Sequence, residues 1–225
     1  MRVPEDQEVT SERVTETVKD VQEKVERYYY ELRKGLFSFD EVLAVQREAT
    51  YRERDATLMA DADASLERVR QDSAEVVRDI FRANWKADLA AADGELASTL
   101  LTKLEQFFPQ LPITVAELSV PRADAEAAAV AAATKAVDEK AAALDGIKAG
   151  LGFESARYLS LMQRDNLWKS HMKAMGFVKD FAGLKVYAQQ DPLDVYREEG
   201  LKLFEKMQVA LRQNTVFSFF AYQPK

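Results

Sequence analysis

The stretch LMQRDNLWKSHMKAMGFVKDFAGLKVYAQQDPLDVYREEGLKLFEKM, residues 161–207, decides the fold. Around its first half Tyr158, Leu161, Trp168, Met172, Met175 and Val178 recur at spacings of three, four or seven, which lays them along one face of a helix of about 3.6 residues per turn. In its second half and beyond, Leu193, Tyr196, Gly200, Leu203, Met207, Ala210, Asn214 and Phe217 alternate steps of three and four, a heptad seam. Between the two runs, Asp191 followed by Pro192 is a helix start. The carboxylate caps free N–H groups, and proline, with no N–H of its own, suits the first helical position. The reversal is thereby confined to residues 182–190, and the periodicity predicts an antiparallel helical hairpin.

A second seam lies far upstream. Val14, Val18, Val21, Val25, Tyr28, Leu32, Leu36, Phe39 and Leu43 follow an almost unbroken four-three alternation, continued by Gln46 and Thr50, with no proline from Ser11 to Leu58. One helix of that extent would run about 65–70 Å at 1.5 Å per residue. So long a helix needs support along its length. The C-terminal hairpin is the expected partner, with a homodimeric coiled coil as the alternative. Gly35 interrupts the run at a cost of roughly 1 kcal/mol against alanine.

The particular residues carry the reading further. The tip GLKVYAQQDP, residues 183–192, resembles the GLRxYAQKDP signature of the SecA family of ATP-driven preprotein translocation motors, departing at Lys185 and Gln190. DNLWKSHMKAM, residues 165–175, is similar to that family's DxLWxEHLxxM, and VYREEGLKLFEKM, residues 195–207, to its EYKxEGFxLFxxM. YELRKGLFSFDEVLAVQREATYRER, residues 30–54, resembles FDIRKxLLxYDDVxNxQRxxIYxxR of its long scaffold helix. The resemblance implies an all-α fold in three parts: the long scaffold helix over residues 1–58, an inserted helical wing over 59–152, and the continued scaffold with a two-helix finger over 153–225.

Within the middle part, Leu66, Val69, Val76, Ile80 and Trp85 suggest one helix, and Leu96, Leu100, Leu104 and Phe107 another. Pro109 to Pro112 breaks the pattern, residues 113–120 read as extended or irregular, and an alanine-rich run after Pro121 reads as an exposed or loosely held helix to Leu144. GIKAGLGF, residues 146–153, is the expected hinge into the hairpin.

Composition narrows the function classes. The chain has 225 residues, 47% hydrophobic and 31% charged, with only 8 glycines and 6 prolines, a helix-former's profile. Zero cysteines exclude disulfides and thiolate metal sites. The net charge of −7 argues against general affinity for nucleic acid or anionic lipid. The hairpin is nonetheless locally basic, since Arg164, Lys169, Lys173, Lys179 and Lys185 face only three acidic residues between 158 and 191.

No GxxxxGK[ST] loop is present to cradle phosphates, so the chain is not expected to hydrolyse ATP by itself. In the SecA family ATP and Mg²⁺ belong to nucleotide-binding domains, expected before Met1, and some relatives carry a zinc tail beyond the equivalent of Lys225. The single histidine, His171, has no carboxylate at helical metal-site spacing and is read with Trp168 and Met175 as hairpin packing. The resemblance implies roles for two further sets. Leu184, Lys185, Val186 and Tyr187 at the tip are expected to contact preprotein and a SecY-type channel. Arg33 and Asp40, one heptad apart, are expected to couple the scaffold to the nucleotide-binding domains. Membrane association would be peripheral only. The ending VFSFFAYQP and the run YYYELRKGLFSFDEVL lean toward cyanobacterial and plastid members. The expected place is therefore the stroma at the thylakoid surface, or the bacterial cytoplasm and inner face of the plasma membrane. A freestanding helical protein that dimerises or serves as an adaptor through its long helix is the alternative reading.

Overall fold

A computed structural model describes residues 11–85, 89, 91–109 and 111–224. Among these the fold is all-α. The helices are α1 (Glu12–Leu58), α2 (Ala62–Asn84), α3 (Gly94–Glu105), α4 (Val115–Leu118), α5 (Arg122–Ile147), α6 (Leu151–Leu184) and α7 (Pro192–Ala221), with a 3₁₀ turn at Lys185–Ala188. The only β feature among the described residues is an isolated bridge from Ala91 to Pro121. Helix starts follow local chemistry: the Asp61, Asp93 and Asp191 carboxylates accept N–H bonds from Ala64, Leu96 and Leu193 at 2.7–2.8 Å.

Helix α1 is the single 47-residue rod the heptad run predicts. Its support differs from expectation. The hairpin covers the seam only from Phe39 onward, where Phe39, Val42 and Leu43 pack on Met175, Ala182 and Tyr196. From Val14 to Leu36 the seam is exposed on this chain. The reason is reach. The α6–α7 hairpin lies beside the C-terminal half of α1, and its tip is at residues 185–190, so nothing of the hairpin extends along the first half.

The seams inside the hairpin also shift. Tyr158 is 64% exposed, and the buried stripe of α6 runs instead through Ala156, Ser160, Arg164, Trp168, His171, Met175 and Ala182. On α7 the predicted positions Asn214 and Phe217 face outward, while Met207, Leu211, Thr215 and Phe219 are buried. Steps of four over-rotate a helix of 3.6 residues per turn by about 40° each. The buried face therefore turns away from α1 and toward α2 and α5, where Phe219 joins Val69, Val137, Ala141, Leu144, Ala156 and Leu159 in one cluster.

The alanine-rich segment is a correction as well. It is not loosely held: Ala125, Ala129, Ala133, Val137, Ala141 and Leu144 form a buried stripe on α5. Small side chains let α5 approach the large residues of α2 and α3, among them Phe81, Leu100 and Leu104, so the apolar surface comes from the partners. Residues 113–120 contain the short helix α4, with Leu118 in the same core. The hinge contracts to residues 148–150, where Gly150 takes φ 85°, a left-handed conformation that favours glycine.

Candidate functional site

At the far end of the hairpin α6 runs through Leu184 and tightens into the 3₁₀ turn, and Gln189 at φ 58° reverses the chain into the Asp191 cap. The Gln190 N–H closes this loop on the Lys185 carbonyl at 3.3 Å. The result is a short, internally bonded loop on two long helices. On it Tyr187 is 91% exposed, the most exposed large apolar side chain of the described residues, with Leu184 and Val186 more than half exposed beside it. Lys185 folds back so that its Nζ lies 4.8 Å above the Phe181 ring, a cation–π contact.

Two further residues extend this surface and escape the sequence reading. Phe177 and Phe181 are both exposed on α6. They stand four residues apart and off the buried stripe of Met175, Val178 and Ala182, which places two aromatic rings on one outer face just below the tip. That spacing was the available signal. Together with Leu184, Val186 and Tyr187 they form an apolar end, with Lys185 as the cation at its centre. Such a surface can hold extended polypeptide through apolar area and a phenolic hydroxyl without reading a specific sequence.

Behind the tip, Trp168, His171 and Met175 lie in the joint between the hairpin and α1. Met175 is fully buried, and Trp168 and His171 nearly so. The His171 Nε2–H donates to the Gln46 amide oxygen at 2.8 Å, while the Gln46 amide donates to the Gly200 carbonyl at 3.1 Å. One glutamine thus ties α1, α6 and α7 together. Burial lowers the His171 pKa, keeping the imidazole neutral as this donor. Gly200 has a spatial reason: a Cβ there would meet the Met175 Cε at 2.8 Å. About two turns along, Arg54 grips Asp165 with both a 2.9 Å and a 3.3 Å bond. Residues of the block at 30–54 therefore pair directly with those of the block at 165–175, more than a hundred residues away.

Arg33 and Asp40 are exposed on α1 and make no ion pair among the described residues. They are not brought to the tip. Asp40 lies near enough to Tyr196 to add to the effect of burial in raising the phenol's pKa. No three histidine or acidic side chains gather in a metal-binding arrangement among the described residues, and no helix there is long and apolar enough to cross a membrane.

Comparison with known proteins places this geometry in context. The family described as SecA Wing and Scaffold domain matches residues 8–223. The protein translocase subunit SecA of Thermosynechococcus vestitus is 35% identical over 229 residues, covering 100% of this chain and 24% of that protein. SecA of Microcystis aeruginosa is 36% identical over 228 residues, again with 100% and 24% coverage. The chloroplastic SecA of Ostreococcus lucimarinus is 33% identical over 227 residues, covering 98% and 24%. The chain spans about a quarter of the length of these relatives.

Proposed function

Because this chain belongs to the SecA wing-and-scaffold family, we propose that it is the part of a preprotein translocation motor that carries force from nucleotide-binding domains to a polypeptide entering a SecY-type channel. The observation that carries the reading is the hairpin end: an exposed apolar loop around Tyr187, held on two helices that are packed against a 47-residue rod. A gripping surface must be open to its cargo and firmly mounted, and the exposure of Tyr187 and the packing of the hairpin on α1 support that reading.

In this reading Leu184, Lys185, Val186 and Tyr187 touch the preprotein and the channel, with Phe177 and Phe181 widening the surface. Arg33 and Asp40 receive the motor domains, since each leaves its charge free for a partner. ATP and Mg²⁺ act in those domains. Residues 1–58 and 153–225 serve as scaffold and finger, and residues 59–152 as the wing. The cyanobacterial and chloroplastic relatives favour the stromal face of the thylakoid or the bacterial cytoplasm, with peripheral attachment to the membrane.

The test replaces the corresponding segment of a complete SecA with this one. Tyr187→Ala should cut translocation strongly and Tyr187→Phe much less, because the ring supplies the apolar contact and the hydroxyl only one hydrogen bond. The melting temperature of the isolated chain should barely move, since Tyr187 is 91% exposed. Undiminished translocation by the alanine variant would remove the assignment.

A further inference from the structure

Away from the finger, helices α1, α2, α6 and α7 meet around a polar cavity of about 280 Å³. Arg164 lies in its wall. Arg164 is only 8% exposed, makes no hydrogen bond or ion pair among the described residues, and has its Nε fully buried without a partner. The Nε of Arg212 is in the same condition, although its Nη2 reaches Asp79 at 3.3 Å. Thr215 and Gln208 also line the cavity from α7 and carry no side-chain hydrogen bond among the described residues. Leaving a buried cation unpaired costs several kcal/mol, so a folded chain needs something there.

The wall itself does not supply it. Arg68 is taken by Glu53 at 2.9 Å. The amide oxygens of Gln71 and Gln208 are acceptors on the same wall, and so is the Asp72 carboxyl, which makes no hydrogen bond among the described residues. Burial pushes its pKa up to about 6 against the pull of Arg68, Arg212 and Arg164. Charge is less evenly matched than hydrogen bonding: the guanidiniums of Arg68, Arg164 and Arg212 line the cavity against the two carboxylates of Glu53 and Asp72. Water carries no charge and so leaves this surplus of one cation unmatched. A small ligand that only accepts, and carries negative charge, answers it well.

We propose that this cavity binds a small tetrahedral oxyanion of the phosphate or sulfate type, held by the Arg164 guanidinium with the Thr215 hydroxyl. A cavity of about 280 Å³ has room for one such ion with several waters. The site is separate from the finger and does not depend on the translocation reading. An ion held this way bridges α6 and α7.

Charge sets the expected pH dependence. Three cations, Arg68, Arg164 and Arg212, face the carboxylates of Glu53 and Asp72, with Asp79 behind Arg212 and Asp165 held by Arg54. Protonating Asp72 leaves a net positive site, so sulfate, whose charge is constant over this range, should bind more tightly at pH 5.5 than at pH 7.5. The experiment uses the whole chain, titrated with sodium sulfate and sodium phosphate against sodium chloride at matched ionic strength, read by calorimetry and thermal unfolding. Sulfate and phosphate should each raise the melting temperature by several degrees beyond chloride. Arg164→Met should weaken sulfate binding by about tenfold or more. Asp72→Asn should strengthen it several-fold at pH 7.5 and hardly at all at pH 5.5. Equal melting temperatures in sulfate and chloride overturn the proposal, as does unchanged affinity in Asp72→Asn at pH 7.5. The latter keeps the test decisive even where Arg164→Met does not fold.

Discussion

Replacing Gly152 by alanine should destabilise the chain, whereas the same replacement at Gly176 should stabilise it. Both glycines lie in α6, and the difference is in what a Cβ would meet. At Gly152 it would stand 2.9 Å from the Ala141 carbonyl oxygen, 3.2 Å from the Ala141 Cα and 3.1 Å from the Asp145 Oδ1. Two of these are backbone atoms of α5, and the third is held in place by a 2.7 Å bond from the Gly152 N–H. None can turn aside, so α5 and α6 must part. Overpacking of this kind costs about 1–3 kcal/mol. Stiffening the unfolded chain returns about 0.4–1 kcal/mol, leaving a net loss of about 1–2 kcal/mol. At Gly176 no atom lies within 4 Å, and alanine should gain about 1 kcal/mol in a helix interior. In a chain of this size the two variants should melt about 2–8 °C lower and about 2–4 °C higher than wild type. Urea unfolding checks the free energies, with a common m value showing that the unfolded state has not changed. If both shifts have the same sign, the close approach of α5 and α6 is not what holds Gly152.

Two more outcomes follow from buried polar groups. Gln46→Leu removes the acceptor of the His171 Nε2–H and should cost about 1–3 kcal/mol in urea unfolding; unchanged stability would mean that the joint tolerates a bare imidazole. Asp72, raised to about 6 in the folded chain from an ordinary value of 3.8, holds its proton more tightly when folded. Its contribution is therefore favourable at acid pH and is lost as pH rises through that interval. Full ionisation costs up to about 3 kcal/mol at 1.36 kcal/mol per unit. Asp72→Asn should thus stabilise the chain at pH 7.5 and leave it nearly unchanged at pH 4, compared by unfolding free energies at the two pH values.

Much of this architecture could be read from periodicity. The 47-residue helix, the hairpin and the Asp191–Pro192 start all announce themselves in spacing and capping residues, because they are local. What the sequence hid is what depends on distant partners. Steps of three and four predict a straight seam, but the second half of α7 packs on α2 and α5 rather than on α1, so Asn214 and Phe217 turn outward. Alanines look weak to a reading that counts large side chains, yet on α5 their small size is what permits contact. The tip loop is bounded by the two periodic runs and the Asp191–Pro192 start, while Phe177 and Phe181 lie off the buried face that periodicity marks. Gln46 reads in the sequence only as a continuation of the heptad run, and the fold reveals His171 and Gly200 as its partners.

The partial support of α1 has a mechanical meaning. Residues 12–38, about 40 Å of helix, project beyond the point where Phe39, Val42 and Leu43 are clamped. A rod gripped at one end converts rotation into displacement, and a tilt of about 10° at the clamp moves the far end by about 7 Å. The converse also holds: a push of several ångströms on Val14 reaches Gln46 and His171 as a small angular strain, close to the base of the finger. One uninterrupted helix thus acts as gearing, trading travel at one end for torque at the other.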